Sequence, residues 1–128
     1  MQNLYISATS ATPEVDFRFD NHELNLRGES YPENAQAFYG PILDAINSYL
    51  AQQQSGHITL NIQLAYFNSS STKVLLELFA LFNDAAVRGC YVTLNWFYDE
   101  DDDTILEFGQ DVADDYTALD FHPSALVG

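Results

Sequence analysis

Between Ile58 and Tyr98 the hydrophobic period of the chain changes twice, and this constrains the fold more than any other feature. Ile58, Leu60, Ile62 and Leu64 alternate with other residues, and Ala65-Tyr66-Phe67 extends the run into a central strand. Asn68 and the hydroxyl cluster Ser69-Ser70-Ser71-Thr72 break the pattern. Val74, Leu75, Leu78, Phe79, Leu81, Phe82, Ala85 and Ala86 then recur at helical spacing, opposite Lys73, Glu77, Asp84 and Arg88. The spacing predicts a helix from about Ser71 to Arg88, stopped by a cation in its last turn and Gly89 just past it. Tyr91, Thr93, Asn95 and Phe97 alternate with Val92, Leu94, Trp96 and Tyr98, and aromatics on both sides predict a strand buried on both faces. A strand, a helix and a strand in succession require a crossover, so the two strands lie parallel in one sheet.

The flanking segments extend this unit. Leu4-Tyr5-Ile6 is a short strand, and Ser7 to Pro13 is a loop. Val15, Phe17 and Phe19 alternate with Asp16, Arg18 and Asp20; Asp20-Asn21-His22 is a turn; Leu24 and Leu26 complete a hairpin that Gly28 ends. Ser30-Tyr31-Pro32-Glu33 fits a capping box, with Ser30 as cap, Glu33 reaching back to its N–H, and Pro32 in the first turn. Ala35, Phe38, Tyr39, Ile42, Leu43, Ile46, Tyr49 and Leu50 form a helical stripe, in which Gly40-Pro41 predicts a kink or a restart. Thr104 to Ala113 is a short helix with acidic residues in its first turn, and Leu119 to His122 a last short strand. The expected class is α/β (α+β): one domain over residues 1–128, a mixed sheet with an N-terminal hairpin and about three helices packed on it.

Charge narrows the partners. Nineteen Asp and Glu against four Lys and Arg give a formal charge of -15. Such a chain repels phosphate backbones and anionic headgroups, so neither nucleic acid nor a membrane surface is expected to bind it. A basic protein partner, or high solubility alone, fits this balance. Cys90 is the single cysteine, which excludes an intrachain disulfide and fits a reducing compartment. Met1-Gln2-Asn3-Leu4 begins no signal-peptide pattern and no apolar run is long enough to span a bilayer, so a cytoplasmic location is expected.

The chemistry concentrates at the hydroxyl cluster. A serine at a helix N-terminus meets free N–H groups and the positive end of the dipole. It is a helix cap, a nucleophile or a phosphorylation site. A hydrolase elbow needs glycines around its serine, and Phe67-Asn68-Ser69-Ser70-Ser71 has none. Nothing marks His22, His57 or His122 as a base for Ser69, and the three histidines lack metal-ligand spacing. Asp99, Asp101 and Asp103 begin like a calcium loop, but Thr104 and Gln110 stand where glycine and glutamate are needed. No metal and no cofactor is therefore expected, and Asp99 to Asp103 reads as a solvated acidic loop.

Two stretches together identify a relative. Gly28-Glu29-Ser30-Tyr31-Pro32-Glu33-Asn34 resembles the Gly-x-Ser-Tyr-Pro-Glu-Asn signature of the SiaC-type bacterial regulatory phosphoproteins, and Tyr66-Phe67-Asn68-Ser69-Ser70-Ser71 resembles their Tyr-Leu-Asn-Thr-Ser-Ser corner. Trp96-Phe97-Tyr98-Asp99 matches as well, at the same spacing. The resemblance implies a STAS-like fold, similar to anti-sigma-factor antagonists, and a partner-switching pathway without enzymatic activity of its own. A cognate serine/threonine kinase would phosphorylate the corner and a metal-dependent protein phosphatase would reverse it. The unphosphorylated form would bind and activate a diguanylate cyclase or other output protein, in cyclic di-GMP and biofilm control. The acceptor carries over onto Ser69, which stands where the family's best-known member has threonine, with Ser70 and Ser71 as competitors. Partner contact is expected at Asn68, Ser69, Ser70, Thr72 and Lys73, and at Tyr31, Glu33 and Asn34. Pro41 departs from the family pattern in the first helix, away from the corner. Two other readings stand beside the switch: a constitutive interaction module with Ser69 only a helix cap, and a small serine hydrolase.

Overall fold

All six strands take their places in the sheet in the order in which the chain makes them. The computed structural model describes residues 1–127. The elements are β1 (Leu4–Ile6), β2 (Glu14–Arg18), β3 (Glu23–Ser30), α1 (Ala35–Ala51), β4 (Gly56–Phe67), α2 (Ser69–Arg88), β5 (Cys90–Asp99), α3 (Asp103–Asp115) and β6 (Asp120–Leu126). β1, β2 and β3 pair antiparallel, and β3 to β6 pair parallel. A single turn of 3-10 helix, Phe19–Asn21, joins β2 to β3 and closes on His22, whose φ of 55° is left-handed. The three crossovers all advance the sheet in one direction. With the usual right hand, they lay α1, α2 and α3 on the same face.

That arrangement corrects one expectation. β5 is buried on one face only: Cys90, Val92, Leu94 and Trp96 are buried while Tyr91 is exposed and Thr93, Asn95 and Phe97 are half-buried. No helix covers the other side, so that side must satisfy itself. Asn25, Asn61 and Asn95 lie abreast on β3, β4 and β5. Asn95 Nδ2 donates to Asn61 Oδ1 at 2.8 Å, Asn61 Nδ2 to Asn25 Oδ1 at 2.9 Å, and Asn25 Nδ2 to the Asp16 carbonyl at 3.2 Å. Beside this ladder Arg18 pairs with Asp16 and Glu23, and Arg27 with Glu14 and Asp16. The exposed setting makes these ion pairs weak as stabilisers.

The core lies between the sheet and the helices. Phe17, Leu24, Leu60, Leu94 and Trp96 from the sheet meet Tyr39, Ile46, Leu75, Phe79 and Phe82 from α1 and α2. α1 is continuous through Pro41, with neither break nor restart. The buried stripe Tyr39, Ile42, Ile46 and Tyr49 anchors it, while Pro41 stands exposed, where water meets the Ala37 carbonyl left without its donor. The capping box is also corrected. Asn34 is the cap, its side chain accepting the Ala37 N–H at 3.1 Å. Ser30 still belongs to β3, paired with Phe67, and Pro32 holds Tyr31 out of helical conformation. α3 is capped by Asp102, whose Oδ1 accepts the Ile105 N–H at 3.1 Å. β6 runs further than expected, to Leu126, and tolerates Pro123 because it is an edge strand.

Candidate functional site

The β4–α2 corner is built by Asn68. Its backbone is extended (φ -85°, ψ 176°), its Oδ1 accepts the Ser71 N–H at 3.0 Å, and its carbonyl accepts the Thr72 N–H at 2.9 Å and Thr72 Oγ1 at 3.1 Å. Asn68 is therefore the helix cap, which corrects the reading of Ser69 as a cap. Ser69 and Ser70 are the first two helical residues, and both are exposed. Their N–H groups have no intrahelical acceptor, and the dipole places positive charge there. A hydroxyl of Ser69 carrying a negative group would sit against unspent donors.

Ser71 faces the other way. It is 0% exposed, and its Oγ accepts from Ser30 Oγ at 2.8 Å. Ser30 Oγ lies 2.5 Å from the Tyr39 hydroxyl. Ser30 has one proton and gives it to Ser71, so Tyr39 donates to Ser30. Burial raises the Tyr39 pKa above its ordinary value, in keeping with a donor that stays protonated. The Ser71 oxygen is thus inside the protein and committed.

The same junction brings the two sequence blocks together. The Asn68 N–H donates to the Ser30 carbonyl at 3.0 Å, and the Tyr31 N–H to the Ala11 carbonyl at 2.7 Å. The Tyr31 ring stands edge-on to Tyr66 at 5.9 Å, with Tyr31 39% and Tyr66 50% exposed. Tyr31, Asn68, Ser69 and Ser70 therefore belong to one end of the molecule. Thr72 is half-buried with its hydroxyl bonded to Asn68; Lys73 is exposed on α2; Glu33 is exposed before α1; and Asn34 is spent partly on its cap.

Tyr66 is the residue that sequence reasoning passed over. Alternation from Leu64 puts it inside. In β4, however, Leu64 pairs with Gly28 and Tyr66 with Glu29, so Ala65 is an extra residue and the strand changes phase. Phe67 turns toward the helices and meets Phe108 of α3 at 4.8 Å, and Tyr66 turns outward. Gly28, with φ of 123°, supplies the opposite strand at this bulge.

No imidazole serves Ser69. His22 Nδ1 is bonded to the Tyr49 hydroxyl at 2.6 Å, His57 Nε2 to Thr93 Oγ1 at 2.8 Å, and His122 Nε2 to Asp120 at 2.9 Å. His57 begins β4 and Ser69 follows its end, about 35 Å of extended chain apart. His22 lies just before β3 level with the start of β4, and His122 pairs with Asn95, itself level with Asn61, so no histidine is placed at the corner as a base for Ser69. Among the described residues no group of three or more His, Cys, Asp or Glu is arranged to hold a metal ion, and no helix is long and apolar enough to cross a membrane.

Comparison with known proteins decides the family. The profile of the SiaC family regulatory phosphoproteins matches residues 6–126. The chain belongs to the SiaC family of regulatory phosphoproteins. It is 30% identical over 115 residues, 90% of each chain, to the uncharacterized protein PA14_02130 of Pseudomonas aeruginosa (strain UCBPP-PA14). Its fold matches apo-SiaC of Pseudomonas aeruginosa with a TM-score of 0.89 at 30% identity, over 98% of this chain and 100% of the other. It also matches SiaC in the crystal structure of the diguanylate cyclase SiaD with its activator SiaC, with a TM-score of 0.84 at 28% identity, over 98% and 99% of the two chains. The SiaC-family fold is thus the mixed sheet described above, with its three helices on one face.

Proposed function

We propose that this chain is a non-enzymatic phosphorylation switch whose acceptor is Ser69. The observation that carries the reading is the division of labour at the corner: Asn68 caps, Ser71 is buried, and Ser69 stands exposed among free N–H groups. A cognate serine/threonine kinase modifies Ser69 and a metal-dependent phosphatase restores it. The unphosphorylated chain binds and activates a diguanylate cyclase, as the relative SiaC does as activator of SiaD. A kinase that draws on ATP would put the switch in the cytoplasm.

The physical lever is charge. A phosphate adds nearly two negative charges to a chain already at -15. An interface that buries the neutral corner would then have to desolvate a dianion, so phosphorylation releases the cyclase. Incubation with the cognate kinase and ATP is expected to raise the intact mass by one phosphate and to leave Ser69→Ala unmodified. Equal modification of Ser69→Ala overturns the assignment and points to Ser70. A constitutive interaction module is favoured by one observation, the exposed Tyr31–Tyr66 pair, which needs no modification to dock. It predicts equal cyclase affinity for Ser69→Ala and Ser69→Asp, where the switch predicts loss for Ser69→Asp alone.

A further inference from the structure

The β4–β5 ladder stops at the pair Ile62 and Trp96, yet β4 runs on to Phe67 and β5 to Asp99. Beyond this point β4 stays with β3, up to the Ser30–Phe67 pair, and β5 stays with β6, up to Asp99–Leu126. The sheet therefore splits between two neighbouring parallel strands at their carboxyl ends, the end at which open α/β sheets take ligands. The split opens a cavity of about 640 Å3. Gln63 to Ala65 form one wall, Phe97 to Asp99 the other, and Asp101 and Asp102 with the first turn of α3 close the end. The extra residue Ala65 lies at this parting. Alternate residues of each strand turn backbone N–H and C=O groups toward a gap with no ladder to receive them.

Charge selects the occupant. Asp99, Asp101, Asp102 and Asp103 all border the cavity. Asp99 accepts the Asp101 N–H at 2.9 Å and Asp102 caps α3, but neither bond neutralises a charge. None of the chain's four cations lines this cavity, although Arg27, held by Glu14 and Asp16, borders the adjoining hollow with Gln63 and Phe97. Arg18 and Arg27 are paired on the open face, Arg88 donates to the Leu50 carbonyl, and Lys73 is on α2. We propose that the crevice is a second binding site, adjoining the Ser69 corner at the carboxyl end of β4, and that it receives an arginine side chain of a protein partner.

A guanidinium presents five N–H donors in a planar fork, enough to meet carbonyl oxygens in the gap and carboxylates at its rim together. Its face stacks on Phe97 or Tyr98, and its methylene stem lies along Ala65 and Leu126. A lysine ammonium matches the charge but not the flat gap. The site stands whether or not Ser69 is modified.

The test is an amide-resolved NMR titration of the full chain with acetyl-Leu-Arg-Leu-amide, alongside the same peptide with norleucine for arginine and alongside free argininamide. Saturable shifts are expected at Gln63 to Ala65 and Phe97 to Asp99, with the arginine peptide binding about tenfold tighter than argininamide because its flanks also contact the protein. Asp101→Asn with Asp103→Asn, which leaves the Asp102 cap intact, is expected to weaken binding by about tenfold. Ala65→Phe, which fills the gap without changing charge, is expected to abolish it. Shifts spread unsaturably over the acidic surface, equal binding of the norleucine peptide, or binding retained in both variants overturns the site. Argininamide binding as tightly as the peptide overturns the partner in favour of a small molecule.

Discussion

Ser30 Oγ, at the last residue of β3, donates to Ser71 Oγ, 41 positions further on, at 2.8 Å and out of reach of water. Ser30→Ala leaves both the Tyr39 donor and the Ser71 acceptor buried without a partner. It is expected to cost about 1–3 kcal/mol in urea unfolding, at unchanged m-value. Tyr39→Phe leaves the Ser30–Ser71 bond in place and is expected to cost about 1 kcal/mol. If Ser30→Ala unfolds with the wild type, the hydroxyl chain contributes nothing to the corner.

Asn68 and Ser69 are adjacent, yet only the first is expected to lose stability on substitution by alanine. Asn68→Ala removes the cap and should cost about 0.5–2 kcal/mol. Ser69→Ala removes an exposed hydroxyl and should stay within about 0.5 kcal/mol of wild type. Thermal unfolding of the two variants separates these roles, and an equal loss in both would mean that Ser69 shares the cap.

The edge-on pair Tyr31 and Tyr66 is exposed beside Ser69. Aromatic anchors of this kind carry a large share of interface energy, so Tyr66→Ala is expected to weaken cyclase binding by about tenfold or more. Because the ring is exposed, the melting temperature should change little. Titration calorimetry against the cyclase checks both Tyr66→Ala and Tyr31→Ala; unchanged affinity in both places the interface elsewhere.

Burial pushes the Tyr49 phenol from an ordinary 10.0 up to about 12. An unfolded chain gives up this proton near pH 10, whereas the folded chain keeps it. The group's share of stability is thus complete below pH 10 and is lost as pH climbs toward 12. Melting temperature is expected to fall across that window, and to fall less in Tyr49→Phe. Parallel curves for the two proteins would remove Tyr49 as a source of the alkaline loss.

Elements written in local periodicity were legible in the sequence: β4 with α2 from the change of period after Phe67, and the hairpin from Val15, Phe17, Leu24 and Leu26. What was not legible depended on partners far along the chain. Ser30 has the local appearance of a cap because Glu33 follows at the right spacing. Its hydroxyl is instead held by Tyr39 and Ser71, and Asn34 does the capping. The outward face of β5 reads as buried from its aromatics, but Asn95 lies there in register with Asn61 and Asn25, and only pairing shows that the amides satisfy one another. At the corner, Ser69 and Asn68 were legible as a helix start, whereas Tyr66 was hidden by a single extra residue, Ala65, that reverses the phase of the strand.

The coincidence of sheet order with chain order has a consequence for how the molecule comes into being. Each strand, on leaving the ribosome, finds the neighbour it needs already laid down, and each helix closes over a pair that precedes or immediately follows it. Assembly proceeds as accretion at one edge, with no strand inserted between two others and correspondingly short loops to close. The hydroxyl chain under Ser69 draws only on residues up to Ser71. The parts of the β4–α2 corner are thus complete while nearly half of the chain is still being made.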